Sequence, residues 1–266
     1  MDIAQPEKKL DLRAIVAELV LLAKIVLLAI EHLWDEHAMC RSQASMEGKT
    51  VIVTGATSGI GKETAMELAR RKARVIIGCR NPEKAQQTAR QIFEQTKQRV
   101  VVKALDMSSL KSVRNFCDDI VHTEERLDVL INNAGAIGHS KKVKMTEDGF
   151  EEIFQTNFLA PLLLTLLLLG VTVNSLHPGA VKTHIVDEGP GLRKFLFDFL
   201  LGIKGKTPLE GAQTSVRLAV DPELANTSGE YFENCAPAAP RYRSPHLADH
   251  RLAEHFLRSS LQLLEM

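Results

Sequence analysis

The sequence predicts an α/β fold in which helices cover both faces of a parallel sheet. From Glu47 onward, short β-branched segments alternate with longer helical segments, a pattern typical of repeated strand–helix–strand units. A glycine-rich turn, TGATSGIG, directly follows the first predicted strand, at the position where doubly wound sheets bind ligands. With 266 residues, of which 45% are hydrophobic and 25% charged, the chain is long enough to bury such a core.

The predicted elements come in the order that this fold requires. Strands are predicted at 50–54, 74–79, 100–105, 127–131 and 170–176, with a short strand near 229–233. Helices are predicted at about 60–72, after Pro82, at about 109–122, from Thr146 to about Leu169, near 207–219 and near 246–264. The stretch between Glu152 and Lys182 has no charged residue and is long enough to span a membrane. Pro161 near its start and the strand-like VTVNSL at its end favour a buried helix followed by a buried strand.

The first 45 residues are predicted to form a separate, membrane-associating helix that precedes a domain at 46–266. Residues 10–37 are mostly apolar but contain several charges. On a helix, Arg13, Lys24 and Glu31 fall on one stripe, which favours a helix lying in the membrane interface over a membrane span. A helix packed on the protein itself is the alternative.

Charge and cysteine content exclude several classes of function. The 33 basic and 33 acidic side chains balance to a net charge of zero, which gives no electrostatic reason to expect a nucleic-acid partner. The four cysteines include no CxxC pair, so neither a zinc ribbon nor a disulfide scaffold is predicted, and a reducing compartment is favoured. No metal site is predicted.

The glycine turn and the end of the second strand together predict a dinucleotide site. Gly55, Gly59 and Gly61 let the backbone approach a pyrophosphate at the positive N-terminus of a helix. NAD sites usually carry an acidic residue about 20 residues further on, but this chain has Arg80 there and no acid until Glu83. Arginine can bind a 2′-phosphate with two hydrogen bonds, so NADP(H) is predicted. The alternative is that Arg80 is a solvated loop residue.

Further motifs follow later strands and lead to a family resemblance. TGATSGIG, the turn ALDMSS at Asp106, NNAG, Asn157 in FQTNFLAPLLLT and HPG at 177–179 together resemble the short-chain dehydrogenase/reductases. Within them the chain is most similar to the NADP-dependent retinol dehydrogenase group, on GKETAMELA, GCR, KMTEDGFE, GVTVNSLHPG, KTPLEGAQTS and SGEYFENC. The resemblance covers about residues 46–258. It implies a Rossmann-like sheet and a family reaction that interconverts alcohols and aldehydes by hydride transfer.

The resemblance also assigns roles to individual residues. The pyrophosphate would lie on Gly55, Thr57, Ser58, Gly59, Ile60 and Gly61, the 2′-phosphate on Arg80, and the adenine beside Asp106 and Met107. The nicotinamide would lie against Asn133, Ala134 and Gly135, with Pro178, Gly179 and Thr183 over its carboxamide. Asn157 matches the asparagine of the catalytic helix, which supports a water. The resemblance further implies a retinoid, lipid aldehyde or steroid as substrate of intact relatives, a homo- or heterodimer, and an endoplasmic-reticulum membrane with a cytosol-facing domain.

The family's catalytic serine and Tyr-x-x-x-Lys pair have no counterpart in this sequence. The tyrosines are Tyr231 and Tyr242, followed four residues later by Cys235 and His246. The leucine-rich helix end joins directly to GVTVNSLHPG, whereas the family has the serine strand and the tyrosine helix in between. A strand–helix–strand unit takes about 30 residues or more, so the sheet is predicted to be one strand–helix unit short. The strand at 171–176 is then predicted to pair beside 127–131.

The sequence is consistent with three hypotheses for the function of the chain. The first is an active NADP-dependent oxidoreductase whose acid/base is replaced, with His177, His184 and Asp187 as candidates. The second is a non-catalytic pseudoenzyme that binds NADP(H) or pairs with intact relatives. The third is a truncated splice form or gene model that folds poorly because the lost helix exposes apolar surface.

Overall fold

A four-stranded parallel sheet lies at the centre of the fold. The computed structural model describes residues 37–137, 143–168, 172–183, 205–238 and 249–266. The strands of this sheet are β1 (Thr50–Thr54), β2 (Arg74–Cys79), β3 (Val101–Ala104) and β4 (Val129–Ile131). Their order is β3-β2-β1-β4, and each neighbouring pair is parallel. The predicted α/β class with a parallel sheet is therefore confirmed.

Three helices connect these strands, and alternate strand residues enter two different cores. The helices are α1 (Gly59–Arg70), α2 (Pro82–Thr96) and α3 (Leu110–Thr123). Val51 and Val53 of β1 pack into a core with α1 and α2, whereas Ile52 packs into a second core with α3. Successive side chains of a strand point to opposite faces. The sheet is therefore covered on both faces, as the near-continuous apolar runs predicted.

The next helix, α4, begins later than the sequence predicted and contains a wide turn. It consists of a helical turn at Glu152–Phe154, a π-helical turn at Gln155–Leu159 and an α-helical segment at Ala160–Leu167. Residues 146–151 form a turn instead, because the Glu151 carboxylate caps the helix by accepting from the N–H groups of Ile153 and Phe154. Pro161 cannot donate to the carbonyl of Asn157 and its ring crowds that carbonyl, and the π-turn accommodates this local break.

The remaining strands form a second sheet, and one pairing prediction is wrong. Strand β5 (Ser175–His177) pairs in parallel with β6 (Tyr231–Glu233), which pairs antiparallel with β7 (Ala236–Pro237). The strand predicted at 170–176 therefore does not pair beside β4. Among the residues that the structure describes, the outer edge of β4 and the outer edge of β5 have no strand partner.

Side-chain hydrogen bonds explain why β5 pairs with β6. The Asn174 amide donates to the carbonyl of Thr227 at 2.7 Å and accepts from the N–H of Glu230 at 3.1 Å. The N–H of Val173 donates to the Ser228 hydroxyl at 3.1 Å. These bonds extend the contact between β5 and β6 beyond the three residues of each strand. A pairing with β4 would be limited to the three residues of that strand.

Two further helices complete the described fold. Helix α5 (Pro208–Val220) is followed by a 3₁₀ turn at Pro222–Leu224, and α6 (His250–Leu263) lies near the C-terminus. Residues Val216 and Val220 of α5 join the core beside α1. The predicted N-terminal helix lies outside the described residues. Within the described ranges, no helix is long and apolar enough to cross a membrane.

Removal of the α5 cap is expected to cost about 1 kcal/mol of the free energy of unfolding. The Thr207 hydroxyl accepts from the N–H of Glu210 at 3.2 Å, and the N–H of Thr207 donates to the Glu210 carboxylate at 2.7 Å. This backbone hydrogen bond lowers the pKa of Glu210. Chemical denaturation of Thr207→Ala measures the loss. Thr227→Ala, which removes a hydroxyl without a recorded hydrogen bond, should change stability by less than about 0.5 kcal/mol; equal losses in the two variants would contradict the assignment.

Candidate cofactor site

A cleft of about 1090 Å³ opens at the carboxyl ends of the four parallel strands. The loops that follow β1, β2, β3 and β4 all contribute to its lining. It contains these residues that the sequence predicted for cofactor binding: Gly55, Thr57, Ser58, Gly59, Ile60, Gly61, Arg80, Asp106, Met107, Asn133, Ala134, Gly135 and Thr183. The structure therefore brings together residues that are up to 128 positions apart in the sequence, counted from Gly55 to Thr183.

Two glycines of the β1–α1 turn permit a close approach of the loop after β4. Gly55 has a φ of +66°, and a Cβ on it would lie 2.8 Å from the Cα of Ala134. A Cβ on Gly61 would lie 2.3 Å from the Asn133 side-chain nitrogen and 2.9 Å from the carbonyl oxygen of Gly55. Real Cβ atoms do not come this close to other atoms, so both positions require glycine.

The N-terminus of α1 points into the cleft without a side-chain cap. Its N-cap residue, Ser58, makes no capping hydrogen bond, and its first turn contains no acidic residue. By contrast, α2 and α3 are capped by the side chains of Asn81 and Ser109. The first N–H groups of a helix carry a partial positive charge and need acceptors. The α1 terminus is therefore suited to a phosphate oxygen.

The NNAG segment is fixed to the end of β1 by Thr54. The Thr54 hydroxyl accepts from the N–H groups of Asn133 and Ala134, at 3.0 and 2.9 Å. The Asn133 amide donates in turn to the carbonyl of Thr54 at 2.9 Å. Thr54 is fully buried, so these bonds hold the loop rigidly on the floor of the cleft.

Asn157 positions the same loop and does not line the cleft. Its side-chain amide donates to the carbonyl of Ala136 and its amide oxygen accepts from the N–H of Ala136, both at 2.8 Å. Asn157 lies in the π-turn of α4. The resemblance assigned this asparagine to a water relay. In the structure its side chain hydrogen-bonds to both backbone groups of Ala136, the residue after Gly135.

Cations and a fixed carboxylate lie at the ends of β2 and β3. The Arg80 side chain is exposed, and no hydrogen-bond or ion-pair partner is recorded for it within the described chain. Lys84 lines the same end of the cleft, whereas Glu83 does not. On the next strand, Ser108 holds the Asp106 carboxylate by donating from its N–H and its hydroxyl, at 2.9 and 2.7 Å.

Cys79, also in this lining, is a neutral thiol. Burial raises the pKa of Cys79 above its usual value, and its thiol donates to the carbonyl of Asn81 at 3.4 Å. A thiol with a raised pKa is a poor nucleophile at neutral pH. Cys79 therefore contributes packing at the end of β2.

Of the three residues predicted in and after the HPG turn, only one lines the cleft. Thr183 lines the cleft, and its methyl group lies 3.3 Å from the position of a Cβ on Gly59. Pro178 and Gly179 are not part of the lining. The N–H of Gly179 instead donates to Nδ1 of His177 at 3.1 Å, and Gly179 has a φ of +85°. Thr183 is therefore the residue of this segment that reaches the cleft.

Several lining residues were not predicted from the sequence. They are Gly78, Cys79, Asn81, Lys84, Leu105, Ser108, Ala136, Ile137, Val143, Lys144, Glu151, Glu152, Ile153 and Thr156. Most are sequence neighbours of predicted residues, which is a signal that could have found them. The group from Val143 to Thr156 reaches the cleft because Lys144 and Glu152 approach each other across the turn before α4, with an ion pair of 2.6 Å. Spacing alone carries no signal for that approach.

The candidate acid/base residues that the structure describes lie away from this cleft. Tyr231 is on β6 and does not line it. Burial and the nearby Glu233 carboxylate raise the pKa of Tyr231, which is opposite to the change that a catalytic tyrosine needs at neutral pH. His177 lies 3.9 Å from Glu233 and is also outside the lining. Tyr242, His184 and Asp187 lie outside the described residues.

Comparison with known proteins identifies the family. The short chain dehydrogenase family profile matches residues 49–170. Mouse retinol dehydrogenase 14 is 38% identical over 265 aligned residues, covering 71% of this chain and 79% of that protein. The chain belongs to the short-chain dehydrogenase/reductase family. Mouse retinol dehydrogenase 13 is 35% identical over 294 aligned residues, with 85% of this chain and 86% of that protein covered.

Solved structures of other proteins show the same fold. A protein from Mycobacterium paratuberculosis superposes with a TM-score of 0.62 at 24% identity, covering 86% of this chain and 97% of that chain. A short-chain dehydrogenase from Shigella flexneri, solved in complex with NADP, gives a TM-score of 0.57 at 24% identity, covering 73% of this chain and all of that chain. The chain is thus a retinol-dehydrogenase-like member of this oxidoreductase family in sequence, with the family's fold.

Proposed function

We propose that this chain binds NADP(H) in the cleft but does not catalyse hydride transfer by the family mechanism. The observation that carries the proposal is the contrast between two halves of the site. The glycine turn, the uncapped α1 terminus and the NNAG loop are assembled in one cleft, while that cleft contains no tyrosine among its described lining residues. The chain would therefore retain the cofactor half of the site.

The fit of a dinucleotide follows from the lining residues. Gly55 and Gly61 keep the turn free of side chains, and the N–H groups of α1 offer donors to a pyrophosphate. Arg80 and Lys84 present two cations at the end of β2, which suits a 2′-phosphate better than a bare ribose hydroxyl. In the family reaction the nicotinamide would supply the hydride; in this chain these residues would hold and orient the molecule without transfer. The NADP-bound structure of the Shigella relative supports this choice of cofactor.

Two observations support the proposed absence of the serine and the tyrosine–lysine pair. Because 71% of 266 residues is about 189 residues, about 76 of the 265 positions aligned with mouse retinol dehydrogenase 14 have no residue from this chain. A strand–helix–strand unit of about 30 residues or more fits within that number. The strand edges of β4 and β5, both without a partner in the described residues, are where a missing strand would have paired.

The location and domain division remain proposals from the sequence. We propose that residues 1–45 associate with a membrane, that of the endoplasmic reticulum, and leave the NADP-binding domain at 46–266 in the cytosol. In the apolar stretch at 10–37, Arg13, Lys24 and Glu31 fall on one stripe of a helix although Glu18 does not, and this supports an interfacial helix. The relatives are named as retinol dehydrogenases, which favours a retinoid as the small-molecule ligand. We propose that this chain does not turn it over.

The same strand edges favour a second candidate, namely a truncated form that has no function. Unpaired edges expose backbone donors and acceptors that can pair with other chains. A chain that aggregates through them would bind no cofactor. The two candidates differ in whether a soluble monomer binds NADPH.

Calorimetric titration of NADPH into the full chain, purified in mild detergent, tests the proposal. We expect a dissociation constant in the micromolar range and no oxidation of NADPH when all-trans-retinal is added. Intrinsic fluorescence cannot replace calorimetry, because Trp34 is the only tryptophan and lies in the N-terminal segment. Turnover of the aldehyde would refute the proposed loss of catalysis. A folded monomer without NADPH binding would refute the cofactor site, and an insoluble chain would favour the truncated form.

A further inference from the structure

Cys40 and Cys235 are distant in sequence but are held by neighbouring residues of α5. The N–H of Cys40 donates to the Gln213 side-chain oxygen at 3.2 Å, and the N–H of Cys235 donates to the Thr214 hydroxyl at 3.1 Å. Gln213 and Thr214 are adjacent and mostly buried, at 4% exposure each. The same helix therefore anchors the segment before β1 and the turn after β6.

The Cys235 thiol points toward the segment that contains Cys40. Its sulfur lies 3.6 Å from the carbonyl oxygen of Ala38, two residues before Cys40, and accepts a weak hydrogen bond from Thr214 at 4.0 Å. Burial raises the pKa of Cys235, while the hydrogen bond from Thr214 acts in the opposite direction. All four cysteines are free thiols in the structure.

The two cysteines differ in exposure and in backbone structure. Cys235 is 5% exposed and sits in the tight turn between β6 and β7, where it and Asn234 both have positive φ values. Arg217 donates to its carbonyl. Cys40 is half-buried in a segment, 37–45, that has no regular secondary structure. Disulfide formation requires the two Cα atoms to lie about 4.4–6.8 Å apart, and the anchoring of both residues to adjacent side chains of α5 favours such a separation.

We propose that Cys40 and Cys235 form a reversible disulfide that ties the segment before β1 to the β6–β7 turn. With a small-molecule disulfide such as glutathione disulfide as oxidant, the Cys40 thiolate attacks one sulfur and releases one glutathione thiol. Cys235 is a weak nucleophile for an external disulfide because burial raises its pKa. It therefore reacts second, in an intramolecular step in which its thiolate attacks the Cys40 sulfur of the mixed disulfide and releases the second glutathione thiol. Two protein thiols lose two electrons, glutathione disulfide gains them, and the two thiol protons pass to the two glutathione molecules.

The other two cysteines provide matched controls. Cys79 lines the cofactor cleft, and Cys117 lies on the buried face of α3. Burial, with the nearby Asp118 carboxylate, raises the pKa of Cys117 to about 12, so it is almost entirely a thiol at neutral pH. Neither is recorded as interacting with the proposed pair, and both should stay reduced.

The test treats the full chain, reduced and freed of reductant, with glutathione disulfide. Titratable thiols should fall from four to two, and a protease digest should contain one disulfide-linked pair of peptides, carrying Cys40 and Cys235. The melting temperature should rise by about 5–10 °C, because the link closes a long loop in the unfolded chain, and dithiothreitol should reverse the rise. Cys40→Ser should abolish both changes, whereas Cys79→Ser should retain them.

Three outcomes would overturn the inference. The first is that all four thiols stay titratable in the wild-type chain. The second is that Cys40 stops at the mixed disulfide with glutathione. The third is that the linked peptides carry another pair of cysteines. Because peptide mapping is done on the wild-type chain, the result does not depend on whether a variant folds.

Discussion

Replacing Gly55 by alanine is expected to lower the free energy of unfolding by about 3 kcal/mol or more. The alanine would adopt a positive φ, which costs about 1 kcal/mol or more, and its Cβ would lie 2.8 Å from a backbone atom of Ala134. Relief of that contact requires the NNAG loop to leave Thr54. NADPH binding should therefore be lost together with stability. Chemical denaturation and calorimetric titration of the variant measure both effects.

Gly48→Ala separates the two causes. Gly48 has a φ of +76°, similar to that of Gly55, but a Cβ on it would have no neighbour within 4 Å. This variant should lose about 1 kcal/mol and keep its affinity for NADPH. If Gly55→Ala proved no less stable than Gly48→Ala, the close approach of the loop after β4 to the glycine turn would be refuted.

Replacing Arg80 by alanine is expected to weaken NADPH binding about 100-fold while leaving NADH binding within about twofold. Hydrogen bonds to charged groups are worth about 1.5–3 kcal/mol, and a guanidinium binds a phosphate through two of them. NADH lacks the 2′-phosphate, so it should not detect the change. Calorimetric titration of each nucleotide into the variant measures the selectivity.

Arg90→Ala is the matched control for this substitution. Arg90 is an exposed arginine on α2 outside the cleft, so its removal changes the net charge equally without touching the proposed phosphate site. Affinity for NADPH should then change by less than about twofold at moderate salt. A uniform loss in both variants would mean that long-range attraction, and not a 2′-phosphate contact, accounts for the effect of Arg80.

The first four strands could be predicted because their signal is local. Each is a short apolar run bounded by a turn, and the alternation with amphipathic helices places them in one parallel sheet. Since the carboxyl ends of parallel strands share one edge, the residues after them were expected to line one cleft. The positions of Gly55, Arg80, Asp106 and Asn133 in the cleft follow from this geometry.

The pairing of β5 could not be predicted, because nothing local distinguishes its two candidate partners. Both β4 and β6 are short strands that allow a parallel pairing. The choice depends on the side chains of Asn174 and Ser228, which hydrogen-bond to backbone groups more than 50 residues away. Hydrophobic periodicity carries no information about such bonds.

The part of the cleft near α4 also could not be predicted from the sequence. Glu152 and Thr156 reach the cleft because α4 begins late, after a turn at 146–151. Thr146 and Asp148 of that turn bond to the fully buried Gln155 of α4, at 2.6 Å each. The sequence placed the helix start near Thr146. A shift of six residues along a helix moves different side chains to the inner face.

The division of the strands into two sheets has a consequence for the order in which the chain can fold during synthesis. The four parallel strands and their three connecting helices are complete by residue 131, before β5 begins at Ser175. The pairings of β1 with β2 and of β2 with β3 join residues only 24 and 25 positions apart, counted from Thr50 to Arg74 and from Ile76 to Val101. Local pairings form faster than distant ones. The four-stranded sheet can therefore assemble while the rest of the chain is still on the ribosome. Helix α5 packs into the core beside α1. It would then hold the later strands β6 and β7 next to a four-stranded sheet that has already formed.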